Sequence, residues 1–332
     1  MKLLHLGHTQ SMKIAVLTSG GDSPGMNAAI RAVVRQGISN DHAVFGFVEG
    51  YRGLADGEMI ELNNRLVSEI IDRGGTFLRT SRYIEFTDYA VQQKAVDHLK
   101  RLKIDSLIVI GGEGSMQGAH QLCKLGVRVV GVPASIDNDI YGTDYAIGFD
   151  TALNTVVEML SKLRDTASAH ERIFVVEVMG RRSGAIALNA GLAGGADYMC
   201  LPGTPAVDPD QIDRISALIE RRYELGKTHT LIIVAEGAGS AGEVAGALRA
   251  TTGREVRVTV LGHIQRGGSP SALDRLLASQ LGSYAVDLAD DGKSDIMVGL
   301  SGRHLTVTPL EETFTKQVNA DSGLYQLAKV LA

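Results

Sequence analysis

Two stretches of this chain hold most of its chemistry: Gly20-Gly21-Asp22-Ser23-Pro24-Gly25-Met26-Asn27 and Ile136-Asp137-Asn138-Asp139. The first follows the apolar run Ile14–Leu17 and precedes a helical pattern with apolar residues at Ala28, Ala29, Ile30, Ala32, Val33 and Val34. A strand, a glycine turn and a helix start make a device for phosphate. Glycine lets the backbone come close to a ligand, and the helix N-terminus offers free N–H groups and a positive dipole end. The second stretch sets two carboxylates two residues apart, just after the strand-like run Arg128–Val132. Phosphate-cradling backbone with clustered carboxylates points to phosphoryl transfer, which needs positioning, Mg²⁺ and a base. On spacing alone, Ser135-Ile136-Asp137-Asn138-Asp139 also fits a polar loop with an Asx turn.

The elements that must position these residues alternate in type. Apolar runs at Ile14–Leu17, Leu107–Ile110, Val127–Val132, Ile173–Val178, Leu231–Ala235 and Val256–Leu261 read as strands. Between them lie helical patterns such as Thr151–Leu163, Gln211–Leu225 and Ala272–Leu288. Continuous apolar strands alternating with helices predict an α/β fold whose parallel sheets are covered on both faces. Ligands in such folds bind beyond the carboxyl ends of the strands, where the two stretches lie. Gly111-Gly112-Glu113 echoes Gly20-Gly21-Asp22, again after an apolar strand, so two phosphate-facing turns on one sheet could grip one triphosphate.

A length of 332 residues with 44% hydrophobic composition suffices for about two domains. The formal net charge of −5 argues against a general nucleic-acid-binding surface. Two cysteines, Cys123 and Cys200, give neither a disulfide framework nor metal-ligand spacing, and read as buried thiols of a cytoplasmic protein. No apolar run has the length of a membrane span, roughly 18 residues. Met1–Ser11 lacks the long apolar region of a signal peptide and is assigned no function. There is no Walker A loop: Gly226-Lys227-Thr228 and Gly292-Lys293-Ser294 end like one, but Arg221 and Asp287 stand where the first glycine is required. The protein-kinase signature set is absent too.

The two stretches resemble the phosphofructokinase family. So do Pro133-Ala134-Ser135 before the carboxylates, Met179-Gly180-Arg181, Ala235-Glu236-Gly237 and Leu261-Gly262-His263-Ile264-Gln265-Arg266-Gly267-Gly268-Ser269-Pro270, in the family's order from about Met12 onward. The resemblance implies two Rossmann-like three-layer lobes with mainly parallel sheets. The expected boundaries are residues 12–148 with a return at about 265–314 for a nucleotide lobe, and 149–264 with about 315–332 for a sugar-phosphate lobe. The implied reaction is ATP-dependent phosphorylation of fructose 6-phosphate at O1, in a cytoplasmic, allosteric homotetramer with sites shared between subunits. No nucleic-acid or membrane partner is expected.

Residue by residue, the resemblance assigns Gly21, Arg82, Tyr83 and the turn Gly112-Glu113-Gly114-Ser115 to ATP, with Glu113 linked to Mg²⁺ and Tyr51 near the adenine. Glu113 stands where the family more often has aspartate, and Thr87 where many relatives carry arginine. Asp137 is implied as the base, Asp139 as its assistant and Arg181 as stabiliser of the transferring phosphoryl group. Ser135, Asp137, Arg172, Met179, Gly180, Arg181, Glu236, Arg257, His263 and Arg266 would hold the sugar phosphate, with Arg172 and Arg257 reaching into a neighbouring subunit. An effector site is implied at Arg31, Arg35, Arg164, Asp197 and Lys227, while Asn64 and Leu225 replace basic residues there. Arg31 and Arg35 lie four apart on one helix face, which also suits a solvated surface.

Two rival functions are weighed. Pyrophosphate-dependent relatives carry an acidic residue at the position of Gly114 and a lysine at that of Ala134, so the chain fits ATP better. A non-catalytic sensor would lose the carboxylates, but Asp137, Asp139 and Arg181 are all present.

Overall fold

The computed structural model describes residues 11–318 and 322–331, so all of Met1–Ser11 except Ser11 lies outside the described residues. In chain order the first elements are β1 (Lys13–Ser19), α1 (Met26–Ser39), β2 (Ala43–Phe47), α2 (Tyr51–Asp56), β3 (Met59–Leu62), α3 (Tyr89–Leu102), β4 (Ser106–Gly111), α4 (Glu113–Lys124) and β5 (Val129–Pro133). They are followed by α5 (Phe149–His170), β6 (Ile173–Val178), α6 (Ala185–Ala193), β7 (Tyr198–Cys200), α7 (Pro209–Glu224), β8 (Thr230–Ala235), α8 (Ala241–Thr252) and β9 (Val256–Val260). The last are α9 (Ala272–Asp290), β10 (Ile296–Ser301), β11 (His304–Pro309), α10 (Glu312–Thr315) and α11 (Ser322–Leu331).

Two compact units result. One comprises the described residues up to Ser135, with Ile140–Ile147 and Ala272–Gln317; the other comprises Ile136–Asp139, Gly148–Ser271 and the described residues from Val318 on. The first unit holds a seven-stranded sheet of order β11-β10-β5-β4-β1-β2-β3. Its central pairs are parallel, with antiparallel partners only at the edges, β3 on β2 and β11 on β10. β4 and β5 are buried along their whole length and β1 along all but Lys13. That is why they read as unbroken apolar runs. The chain leaves β1 toward β2 and β3, then returns to lay β4 on β1's other side. The order therefore reverses between β1 and β4, and ligands of such sheets bind beyond the strand ends at that reversal.

Helices cover both faces of this sheet. On one face, α1 and α9 bury Ile30, Val33, Leu277 and Leu281 against β1, β4 and β5. Each such side chain contributes about 1.5–3 kcal/mol relative to exposure. Gly25 caps α1 at φ +104, and a Cβ there would lie 2.6 Å from Ile147 Cγ2. Only glycine fits that corner.

The second unit holds a four-stranded parallel sheet of order β7-β8-β6-β9. Its core lies on two faces, one with α5 and α6, the other with α7 and α8. The N-terminus of α8 has a capping box between Ser240 and Glu243.

The contact-defined boundaries differ from the expected ones in three places. Ile136–Asp139 belongs with the second unit, because Ile136 is buried in its core. The return to the first unit begins at Ala272 rather than about 265. Gln265 and Ser271 are tied to the second unit, Gln265 accepting from Met179 N–H and Ser271 N–H donating to Thr151 Oγ1. The final crossing comes at Val318 rather than about 315, because α10 packs on α4.

Candidate active site

In the first unit, the turns after β1 and β4 lie at the reversal point. Ser115, in the first turn of α4, donates its hydroxyl to Ser19 O at the end of β1 (3.0 Å), tying the two turns together. Gly112 is the N-cap of α4 and supplies no side chain, so the helix N-terminus is open. Glu113 and Gly114 follow it at the exposed first turn. A Cβ on Gly114 would meet nothing within 4 Å, so no protein atom explains the glycine there. Arg82 is exposed and follows Ser81, whose carbonyl accepts Gly20 N–H (3.3 Å); Tyr83, next along, is half-buried. Gly21 is half-buried in the turn.

Tyr51, expected near the adenine, has partners within its own unit. Its ring is buried and stacked on Phe86 (centroids 4.1 Å apart, 15° between planes), and its hydroxyl donates to Ser115 O at 2.6 Å. Tyr51 supports the first turn of α4 from beneath. Burial raises its pKa well above that of a free phenol. Thr87, in the 3-10 turn Ile84–Thr87, uses its hydroxyl on Ile84 O.

In the second unit, functional side chains converge at the carboxyl ends of β6, β8 and β9. Met179-Gly180-Arg181 follows β6, Glu236 follows β8, and the 3-10 turn Gly262–Arg266 follows β9. Arg181 Nε lies 3.6 Å from Asp137 Oδ2. Arg181 N–H donates to Glu236 Oε1 (2.9 Å). Asp137 is buried at 4% exposure, and Arg266 at 9%. Burial pushes the Asp137 carboxyl up to about 6; the neighbouring Asp139 charge and, less so, Glu236 add to this, while Arg266 and Arg181 oppose it. A carboxylate tuned toward neutrality is suited to take a proton.

The backbone here is strained. Arg181 has φ +41 and Asn138 φ +46. Asparagine tolerates that region; arginine does so at a cost of about 1–3 kcal/mol. The strain is held by close packing, since a Cβ on Gly237 would fall 1.7 Å from Arg181 O. Ser183 holds it too: its hydroxyl lies 2.6 Å from Asp137 O and 3.0 Å from Gly180 O. Gln265, fully buried, accepts from Met179 N–H (3.3 Å) and donates to Gly262 O (3.0 Å), tying the ends of β6 and β9 together. Ser183 was not singled out in the sequence, and Gln265 only as part of a motif.

The remaining expected residues fall as follows. Ser135 N–H donates to Ile147 O, within the first unit. His263 is exposed at the end of β9. Arg172 and Arg257 both pair with Glu255, Arg172 Nε at 3.3 Å from Oε2. β9 is a sheet edge, and Val260 at its end and Ile264 in the turn after it are 58% and 54% exposed.

Of the effector candidates, Arg31 and Arg35 lie on α1, where Arg31 Nε is buried with no partner among the described residues. Burial, then the Arg35 charge, lower the Arg31 pKa. Arg164 donates to Gly194 O and Gly195 O at the C-terminus of α6. Asp197 pairs with the nearly buried Arg222 (2.8 Å) and accepts from Leu231 N–H (2.8 Å). Lys227 and Leu225 are exposed. Thus two of the five are engaged by their own chain.

Among the described residues, no group of three or more His, Cys, Asp or Glu side chains is placed to hold a metal ion. No helix among them is long and apolar enough to cross a membrane.

A family model described as Phosphofructokinase matches residues 13–289. The chain is 49% identical over 319 residues to ATP-dependent 6-phosphofructokinase 1 of Clostridium perfringens (strain 13 / Type A), covering 96% of this chain and 99% of that one. It is 51% identical over 320 residues to ATP-dependent 6-phosphofructokinase of Bacillus subtilis (strain 168), with the same coverage, 96% and 99%. Among solved structures it is similar to phosphofructokinase from Saccharomyces cerevisiae, with TM-score 0.86 and 36% identity. That match covers 97% of this chain and 47% of the yeast chain, so this chain spans about half the yeast protein's length. The fold alone is shared with a pyrophosphate-dependent phosphofructokinase from Marinobacter aquaeolei, at TM-score 0.81, 20% identity and coverage of 92% and 84%.

Proposed function

The chain belongs to the phosphofructokinase family, and we propose that it is an ATP-dependent 6-phosphofructokinase, moving the γ-phosphoryl group of ATP to O1 of fructose 6-phosphate. The observation that carries this reading is Asp137: a buried carboxylate raised to about 6, with Arg181 3.6 Å away. As O1 attacks the γ-phosphorus, Asp137 accepts the hydroxyl proton and ADP departs with the electron pair of the broken P–O bond. Arg181 stabilises charge on the equatorial oxygens. Asp139 keeps Asp137 basic enough to accept that proton. Glu236 holds sugar hydroxyls, while His263 and Arg266 take the 6-phosphate.

The donor is held by Gly21, Arg82 and the start of α4, where backbone N–H groups and the helix dipole favour a polyphosphate. Mg²⁺ fits this donor set. It needs only one or two protein carboxylates beside substrate phosphates, and Glu113 stands exposed at the first turn of α4. When bound, it would neutralise phosphate charge. The choice of ATP over pyrophosphate is supported by the open space at Gly114 and by the buried, chargeless Ala134.

The exposed edge β9, with Arg172 and Arg257 beside it, supports a homotetramer with shared sites. The self-engagement of Arg164 and Asp197 supports an effector site that binds weakly. A cytoplasmic enzyme without nucleic-acid or membrane partners completes the reading.

A coupled assay of purified protein with fructose 6-phosphate, comparing ATP and pyrophosphate as donors, tests it. ADP release with ATP and none of the corresponding turnover with pyrophosphate is expected. Turnover with pyrophosphate alone, or with neither, overturns it.

A further inference from the structure

Between β3 and the turn Ile84–Thr87 the chain has no regular secondary structure, yet this stretch carries Arg82. Backbone groups there must find partners outside any ladder. They find them around the Gly20–Gly21 turn. Asn27 is 3% exposed; its Nδ2 donates to Arg73 O (3.0 Å) and Gly74 O (3.3 Å), and its Oδ1 accepts Phe77 N–H (2.5 Å). Thr18, at the end of β1, donates its hydroxyl to Arg79 O (2.7 Å). Thr80 donates its hydroxyl to Gly20 O (2.9 Å), and Gly20 N–H donates to Ser81 O (3.3 Å). Ser81 donates its hydroxyl to Glu49 O (2.8 Å), while Glu49 N–H donates to Leu78 O (2.8 Å). Arg79 and Glu49 hold φ of +58 and +63, so the net keeps two side-chain-bearing residues in the left-handed region.

Asparagine near a helix start ordinarily caps its own helix. Asn27 does not. Its side chain spends every hydrogen bond found for it on the segment 73–77, and α1 has no side-chain cap. Leu78, fully buried, then anchors the segment against the first unit's core just before Arg79, Thr80, Ser81 and Arg82.

We infer that Asn27, seconded by Thr80, is a positioning residue for the donor nucleotide: it holds the 73–81 strap so that Arg82 stands in register with the Gly20–Gly21 turn. The inference rests on the reading of that turn as the ATP site. A guanidinium on a loose loop would be ordered only when the ligand binds, at the expense of affinity; here the ordering is completed on folding. Both grips on the phosphates, backbone turn and arginine, then move as one body.

The test is Asn27→Asp in the full chain. The variant keeps shape and the acceptor for Phe77 N–H, but sets a carboxylate oxygen against the carbonyls of Arg73 and Gly74. MgATP affinity is read by equilibrium binding and as KM. Affinity should fall at least ~10-fold, the scale of a buried carbonyl left facing an acceptor. The KM for fructose 6-phosphate should stay within about two-fold. In an Arg82→Ala background the Asn27→Asp effect on MgATP should largely vanish, because the two residues act as a unit. Thr80→Val should give a smaller loss of the same kind. Unchanged MgATP affinity in folded Asn27→Asp, or an effect that simply adds to that of Arg82→Ala, overturns the inference. Should Asn27→Asp not fold, Thr80→Val in the Arg82→Ala cycle decides by the same criterion. A parent chain that binds MgATP but does not phosphorylate fructose 6-phosphate would refute the functional reading instead, and the binding arm would still judge Asn27.

Discussion

After β1 and β4 the first sheet ends in Gly20-Gly21 and Gly111-Gly112, whereas after β6, β8 and β9 the second ends in Arg181, Glu236 and the turn from Gly262 to Arg266. On the proposed reading, the first set of ends works through backbone. Its N–H groups and the helix start of α4 are aimed by hydroxyl-to-carbonyl bonds, and its cations and Glu113 stand exposed. The second set would work through side chains. Asp137 is buried beside Asp139, Arg181 and Arg266, and the backbone beneath Arg181 is strained to aim it. A polyphosphate has many equivalent oxygens and tolerates distributed donors, whereas a proton transfer needs one atom at one place. Single substitutions should therefore cost less at the first set than at the second, unless they fill space or loosen the strap that Asn27 holds.

The comparison predicts a ranking. The largest effect belongs to Asp137. Asp137→Ser or Asp137→Asn should lower kcat by about 10²–10⁴, with fructose 6-phosphate binding nearly kept. Turnover within a few-fold of the parent would mean the base lies elsewhere. Asp137→Asn should also be more stable at pH 8. A folded pKa of about 6 lies above the unfolded value, so the native state holds the proton more tightly. That costs stability as pH rises through the window from about 4 to 6, and Asn removes the cost, by about 1–3 kcal/mol. The gain should fade on acidification below pH ~4 in thermal melts; a gain that persists there would place its origin elsewhere.

Gly237→Ala comes next. Its Cβ would drive Arg181 O away from a 1.7 Å approach, so both the Arg181 turn and its bond to Glu236 must shift. A fall in kcat of at least ~10-fold with a destabilisation of about 1–3 kcal/mol is expected. Parent-like kinetics would show that the strained turn does not set Arg181. Gly114→Asp tests the other region by filling space rather than removing a donor. The KM for ATP should rise ~10-fold or more, because a carboxylate would face nucleotide phosphates. Unchanged ATP kinetics would remove Gly114 from the phosphate site.

A smaller effect sharpens the electrostatic half of the comparison. The acid limb of kcat/KM should fall as pH drops through about 6, where Asp137 takes up its proton. Asp139→Asn removes a like charge that raises Asp137, so the limb should move to lower pH. A limb that stays put belongs to another group, such as the substrate phosphate. The smallest effect concerns effectors. Arg31→Ala should change responses to ADP or phosphoenolpyruvate only a few-fold, since each charge-assisted contact is worth roughly 1.5–3 kcal/mol in a complete site. A strong response abolished by Arg31→Ala would show the site intact despite Leu225.

Much of this was legible in the chain. The runs at Ile14, Leu107, Ile173 and Leu231 became central strands because strands covered on both faces leave a continuous apolar record. The strands outside that central set, β3, β10 and β11, left a weaker one. β3 and β11 are largely exposed, and the hairpin β10–β11 turns antiparallel, which the alternation of strand and helix does not announce. At the candidate site, the side chains assigned to ligands stood out by type, while Ser183 did not and Asn27 did so only as the end of the glycine stretch. Their partners are backbone carbonyls and N–H groups that only folding brings near. The pairing of Asp197 with Arg222 was hidden for the same reason: residues far apart in sequence, joined through burial.

The passage of Ile136–Asp139 into the second unit, between pieces of the first, has a consequence for how this molecule can be taken apart. A gene fragment spanning Gly148–Ser271 would encode every strand of the four-stranded sheet, together with Arg181, Glu236 and Arg266, yet no Asp137. A fragment that keeps Asp137 with Arg181, Glu236 and Arg266 must begin before Asp137, and it then carries Ile140–Ile147 of the first unit as well. On the proposed reading, the acceptor residues cannot be cut from the chain without a piece of the donor unit.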